Sequence, residues 1–83
     1  MNWTLLVTKS ARKALAELPD KDQRLIEKAL DSMPTDPFGG DIKRLQAPSW
    51  RRRVGNYRIF YALFPDEKRI VVTAIARRTS TTY

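Results

Sequence analysis

The chain of 83 residues contains neither cysteine nor histidine. Without cysteine there is no disulfide framework and no thiolate metal site. Without histidine, the commonest general base and the commonest nitrogen ligand for zinc are both missing. No apolar run reaches the eighteen or so residues of a membrane span, and the N-terminus has no long apolar stretch of the kind that directs secretion. A soluble protein of the reducing cytoplasm, without membrane contact, is the expectation. Repeats and low-complexity segments are absent. Eighty-three residues make one small domain, residues 1–83, which excludes a large metabolic enzyme.

Acidic residues are scarce in one place only. From Ser49 to the end there are two of them against eight Lys and Arg, a net charge of +6. The first 48 residues carry seven acidic and eight basic groups, a net charge of +1. Nearly all of the chain's +7 therefore lies in one segment, which points to a polyanionic partner.

The local patterns predict an α+β fold. Residues 3–7 form a short apolar run of strand formers. Thr8 or Ser10 can cap a first helix over residues 9–18, where Ala11, Ala14, Leu15 and Leu18 fall on one stripe. Pro19 stops it. Asp20 and Gln23 have the spacing of a capping box at the head of a second helix. Ile26, Ala29, Leu30 and Met33 form its buried face with Leu25 alongside, and Pro34 ends it. Residues 34–41, with two prolines and two glycines, are predicted as a loop, and residues 43–48 as irregular chain. Strands follow over residues 50–54, 57–64 and 69–77, joined by a tight Gly55-Asn56 turn and a turn at residues 65–68. The order is β-α-α-β-β-β: an N-terminal strand, then a two-helix hairpin packed on one face of a mostly antiparallel four-stranded sheet, with the other face partly open.

Strand alternation sorts the arginines. Arg51 and Arg53 share one face, while Trp50, Arg52 and Val54 share the other. Trp50 and Val54 suit the core, so Arg51 and Arg53 are expected on the open face. Arg52 is expected at the sheet edge or along the helices with its stem buried. Arg58 can lie across from this pair and Arg77 ends the last strand, so four arginines are expected to converge where their forks would match phosphate oxygens. Like charges side by side on a strand repel, and a bound anion would offset that cost. Tyr57 and Tyr61 read as core residues, and exposed aromatic residues beside the basic strand are few. Tyr83 closes the chain. Arginines near it would hold its phenol below the usual value of about 10, which makes it a candidate general base in a chain without histidine. No metal is expected: Asp66 and Glu67, the carboxylates of the basic segment, lie together in a turn, and hard cations need several oxygen ligands arranged together.

The run Trp50-Arg51-Arg52-Arg53-Val54-Gly55-Asn56-Tyr57-Arg58-Ile59-Phe60-Tyr61, preceded by Lys43-Arg44-Leu45, resembles the central hairpin of the RelE/ParE superfamily of toxins, and the likeness in element order covers nearly the whole chain. Toxins of the RelE type are ribosome-dependent endoribonucleases that cut messenger RNA and are held inactive by a cognate antitoxin. The resemblance therefore implies a metal-independent, cofactor-free mRNA interferase of a type II toxin–antitoxin system, with the antitoxin, the ribosome and mRNA as partners. It places Arg58, Arg77 and Tyr83 in catalysis, with Arg51, Arg53, Arg78, Lys43 and Arg44 binding RNA phosphates. The ParE branch of the same superfamily poisons DNA gyrase and generally lacks the terminal pairing of arginine and tyrosine. A gyrase-binding toxin and an inactive RNA-binding relative are the alternatives.

Overall fold

The structure, a computed structural model, describes residues 2–77. Its elements in chain order are β1 (Thr4–Val7), α1 (Lys9–Ala16), α2 (Asp20–Ser32), β2 (Asp41–Arg44), β3 (Ser49–Val54), β4 (Tyr57–Phe64) and β5 (Arg69–Arg77), with a single 3-10 turn at Pro65–Glu67. The strands form one sheet in the order β1-β5-β4-β3-β2. The three long strands pair antiparallel as a meander, and β1 joins β5 in parallel after the helical crossover.

The sheet has five strands, one more than the sequence pattern indicates. The extra strand is Asp41–Arg44, which pairs antiparallel with β3. Only Ile42 in it is apolar, so it has no alternation to detect. Its place comes from the ladder to β3 rather than from its own side chains.

Helix boundaries follow the apolar stripes, but one cap differs. Thr8 caps α1, accepting a hydrogen bond from the Ala11 amide at 3.3 Å. At α2 the cap position is Pro19, in extended conformation and without a side-chain bond, and Asp20 is already helical. The expected Asp20–Gln23 capping box does not form. Gln23 instead reaches backwards, its amide donating to the carbonyls of Leu18 at 2.8 Å and Ala16 at 3.1 Å. Those carbonyls are orphans at the end of α1, so Gln23 ties the two helices together at their joint.

The core lies between the helices and one face of the sheet. Ala11, Ile26, Ala29, Leu30 and Met33 come down from the helices onto Tyr57, Ile59, Tyr61 and Leu63 of β4 and Ile70, Val72 and Ile75 of β5. Strand β4 alternates strictly between fully buried and more exposed positions, as expected when helices cover one face alone. Trp50 and Val54 pack against this core from β3, as their alternation predicts. No helix among the described residues is long and apolar enough to cross a membrane.

One irregularity controls where the later side chains point. Phe60 pairs with Ala74 and Tyr61 with Val72, which leaves Thr73 as an extra residue in β5. A bulge of this kind inverts the pleat beyond it. Its polar groups are used: the Thr73 hydroxyl donates to the Phe60 carbonyl at 3.2 Å, and the Thr8 hydroxyl donates to the Thr73 carbonyl at 3.3 Å. Because of the bulge, Ile75 falls on the core side with Ile70 and Val72.

Candidate nucleic-acid interface

Residues directly opposite each other on neighbouring strands share a face. The pairing therefore builds two rows across the side of the sheet that the helices leave uncovered. One runs Lys43, Arg51, Phe60, Ala74, and the next runs Asp41, Arg53, Arg58, Ala76. Neighbouring strands lie about 4.8 Å apart and same-face residues along a strand about 7 Å apart. Four cations and one carboxylate thus occupy a patch the size of two or three residues each way. Arg53, Arg58 and Lys43 are exposed and Arg51 is half-buried. Among the described residues, no carboxylate is in ion-pair contact with Arg51, Arg53 or Arg58. An ion pair joins Arg69 to Glu67 at 3.0 Å, beside the turn at the opposite end of β4.

The structure thus brings Lys43, Arg51, Arg53 and Arg58 together, and it separates Arg77 and Arg44 from them. Arg77 stands opposite Tyr57, on the helix side of the pleat, so the convergence of four arginines is corrected to three with a lysine. The bulge at Thr73 is the reason, since with Thr73 paired regularly opposite Phe60, Arg77 would share a face with Arg58. Arg44 stands opposite Trp50, also on the helix side, and leaves the phosphate-binding set for the same kind of reason: it is one residue out of phase with Lys43. Arg78 and Tyr83 lie outside the described residues.

Arg52 does what its position suggests. It is half-buried on the helix side, and its guanidinium donates to the Ser32 hydroxyl at 3.2 Å and the Ala29 carbonyl at 3.4 Å. Helix α2 has no basic residue in its last turn, so β3 supplies the cation that faces its negative end. Gly40, at φ +83°, closes against it: a Cβ there would collide with the Arg52 side chain. Beside this contact a groove of about 240 Å³ runs between α2 and β3, lined by Leu25, Lys28, Ala29, Ser32, Arg52 and Val54. Leu25, expected alongside the buried stripe, is 42% exposed at the groove.

The interior tyrosines are not bases. The Tyr57 hydroxyl donates to the Asp22 carboxylate at 2.6 Å. That bond, reinforced by burial and by the Asp22 charge and opposed by Arg77, raises its pKa above 10.0. Burial raises that of Tyr61, against the Arg52 charge. Both phenols keep their protons at neutral pH. Among the described residues no cluster of three or more carboxylates is placed to hold a metal ion.

One residue that charge-based reasoning missed is Phe60. It lies within an apolar run and so resembles core, yet it alternates with buried Ile59 and Tyr61 and faces the open side next to Arg51 and Arg58. The alternation in Tyr57-Arg58-Ile59-Phe60-Tyr61 carried that signal, since Phe60 is in phase with Arg58.

Comparison with known proteins bears on the whole chain. Residues 5–81 match the family described as ParE toxin of the type II toxin–antitoxin system parDE. The putative toxin RelE1 of Methanocaldococcus jannaschii is 28% identical, over 94% of this chain and 92% of that protein. The fold is shared with the archaeal RelE–RelB complex from Pyrococcus horikoshii, at a TM-score of 0.88 and 24% identity, covering 98% of this chain and 100% of that one. It is shared also with the isolated RelE toxin of E. coli, at a TM-score of 0.81 and 16% identity, covering 95% and 87%.

Proposed function

We propose that this chain, which belongs to the ParE toxin family within the RelE/ParE superfamily and is a toxin of a type II toxin–antitoxin system, is an endoribonuclease that cuts messenger RNA on the ribosome. The observation that supports this reading most is the set of Lys43, Arg51, Arg53 and Arg58 on one open face, its three arginines without a carboxylate partner among the described residues. Arg53 and Arg58 directly opposite each other repel, and a backbone phosphate between them removes the repulsion. A folded toxin that keeps this pair is built for an anion with more than one contact point.

The chemistry is a transfer within the RNA. The 2′-oxygen attacks the adjacent phosphorus, the bond from phosphorus to the 5′-oxygen breaks, and the departing 5′-oxygen takes a proton from water, so that a 2′,3′-cyclic phosphate and a 5′-hydroxyl result. Arg58 holds the non-bridging oxygens as negative charge grows on them, while Arg51, Arg53 and Lys43 hold flanking phosphates and align the strand. Arg77, opposite Tyr57 on the helix side of the pleat, takes no part in these phosphate contacts. Tyr83, six residues further along the chain, takes the proton from the 2′-hydroxyl, and Arg78 adds to the phosphate contacts. Charge stabilisation by guanidinium groups lets the reaction proceed without a metal or cofactor.

The RelE of Pyrococcus horikoshii is in complex with RelB. By that likeness a cognate antitoxin is the partner that silences this chain in the cytoplasm, and an acidic stretch lying across the arginine rows would do so by occupying the phosphate sites. The match to the ParE toxin family supports a second reading, a toxin that binds DNA gyrase, since the ParE branch of the superfamily poisons that enzyme.

Inducible expression with primer extension on a translated message separates the two. The native chain cuts, and Arg58→Ala lowers cutting by about 10²–10³-fold, the usual cost of losing one transition-state donor. Tyr83→Phe is lowered likewise. Normal cutting by Arg58→Ala, or intact transcripts accompanied by DNA damage, would defeat the nuclease reading.

A further inference from the structure

We propose that Phe60 is a seat for one unpaired base of the bound strand. The proposal rests on the nucleic-acid reading above and deepens it by naming the residue that receives a base rather than a phosphate.

Phe60 faces the open side of the sheet between two kinds of neighbour. Toward β3 it is opposite Arg51, with Arg58 two residues before it on the same face. Toward β5 it is opposite Ala74, flanked by Ala62 and Ala76. These three alanines are half-buried or exposed, and none is tall enough to cover the ring. No helix packs on this side. The result is a low apolar shelf around the half-buried Phe60 ring, with Phe64 four residues along the same face. Arg51, Arg53 and Arg58 lie on its β3 side, while Arg69 at the far end is paired with Glu67.

A strand of RNA has that same asymmetry, with charged phosphates along one side and flat bases along the other. With phosphates at Arg51 and Arg58, a base turned inward meets the Phe60 ring, because opposed Cβ atoms on paired strands are only about 5 Å apart. Stacking on an aromatic ring accepts every base, since each has a π-face. The seat therefore adds affinity and fixes the orientation of the strand with little sequence preference. An apolar protein segment could also lie on such a shelf, but it would not need guanidinium groups beside the ring.

The test uses the purified full-length chain and a single-stranded hexanucleotide of 2′-O-methyl RNA, whose blocked 2′-oxygens prevent cleavage. A second set of probes carries one abasic site, moved through the six positions in turn. Phe60→Leu keeps an apolar side chain and removes the ring, and Phe60→Trp keeps a ring. For the native chain, one abasic position weakens binding about tenfold or more. For Phe60→Leu the intact probe is weakened by a similar factor, and that abasic position costs nothing further. Phe60→Trp behaves as native. The slope of log affinity against log salt is unchanged by Phe60→Leu, whereas Arg58→Ala makes it shallower by about 0.7.

Four results would overturn the seat: no abasic position coupled to residue 60, an equal loss at all six positions, no binding of the intact probe by the native chain, or native-like binding by Phe60→Leu. A shelf that serves protein contact would give the first of these while Phe60→Leu weakens retention of the antitoxin. A native chain that shows the coupling but leaves messages intact on translating ribosomes keeps the seat and removes the nuclease. A Phe60→Leu chain that binds like native removes the seat and leaves the nuclease standing.

Discussion

Replacing Arg58 by glutamine should make the free protein more stable while removing its activity. Arg58 is paired with Arg53 across β3 and β4, and both are exposed. For two unit charges about 7 Å apart, Coulomb repulsion in a water-like surround is about 0.6 kcal/mol. Arg51, diagonal to Arg58, adds a similar amount, and Asp41, opposite Arg53 but two strands from Arg58, offsets part of it. The net relief is about 0.5–1 kcal/mol. Unfolding entropy of about 2.1 cal/mol/K per residue over 83 residues is about 0.17 kcal/mol/K, so the melting temperature should rise by about 3–6 °C.

The gain has a signature that packing changes lack. The Debye length falls from about 20 Å in 20 mM salt to about 4 Å in 0.5 M, which screens most of a 7 Å repulsion. Thermal melts of the native chain, Arg58→Gln and Arg58→Lys in both salts are the assay. Only Arg58→Gln should be stabilised in low salt, and the difference should shrink to about 1 °C or less in high salt. A gain shared by Arg58→Lys, a gain indifferent to salt, or a loss would each refute the view that the arginine rows are a strained, anion-ready surface.

Three further outcomes concern the helix side. Arg52→Met keeps the buried stem but removes the cation facing the end of α2, and should cost about 1–2 kcal/mol in urea denaturation while RNA affinity stays at the native level. The Tyr61 hydroxyl is buried with no hydrogen-bond partner among the described residues, so Tyr61→Phe should be neutral or stabilising by up to about 1 kcal/mol in the same assay. Tyr57 has its pKa raised by its bond to Asp22, so the folded state holds this proton more tightly than the unfolded chain. Its contribution is complete below the ordinary value of 10.0 and is lost as pH rises from there through the folded value. In alkaline titration monitored by circular dichroism, Tyr57→Phe should lower stability at pH 8 and flatten the fall above pH 10, and an unchanged profile would count against the bond.

Much of the fold was legible because its elements carry their own periodicity. The stripe Ile26, Ala29, Leu30, Met33 and the alternation through Tyr57, Ile59, Tyr61 and Leu63 each name one buried face, and all eight side chains are buried. Strand β2 was illegible because Ile42 alone gives no period, and its ladder to β3 is a tertiary fact. Gln23 was misassigned because the same three-residue spacing serves a capping box or a bond back to the preceding helix. The short Glu17-Leu18-Pro19 link, which brings the Ala16 and Leu18 carbonyls within reach of the side chain, decides between them.

The candidate site was legible up to the bulge and not beyond it. Arg51, Arg53 and Arg58 lie on strands with unbroken alternation, so counting by two places them on one face. Arg77 lies past Thr73, where counting by two fails. The break shows in the burial and not in the sequence. The buried residues of β5 are Ile70, Val72 and Ile75, and the step of three between the last two is impossible on one face of a regular strand, whereas Val71 and Ile75 alone would read as regular alternation. That single step moves Arg77 to the Tyr57 side and leaves alanines at 74 and 76 beside Phe60. The bulge thus clears the open face of a fourth cation and exposes a flat apolar floor. Pairing Thr73 regularly opposite Phe60, with no bulge, would carry strict alternation through the strand and turn Arg77 onto the face of Arg58 and the Ile75 side chain out of the core. The loss of that buried isoleucine alone, about 2–4 kcal/mol if left uncompensated, explains why the strand bulges at Thr73.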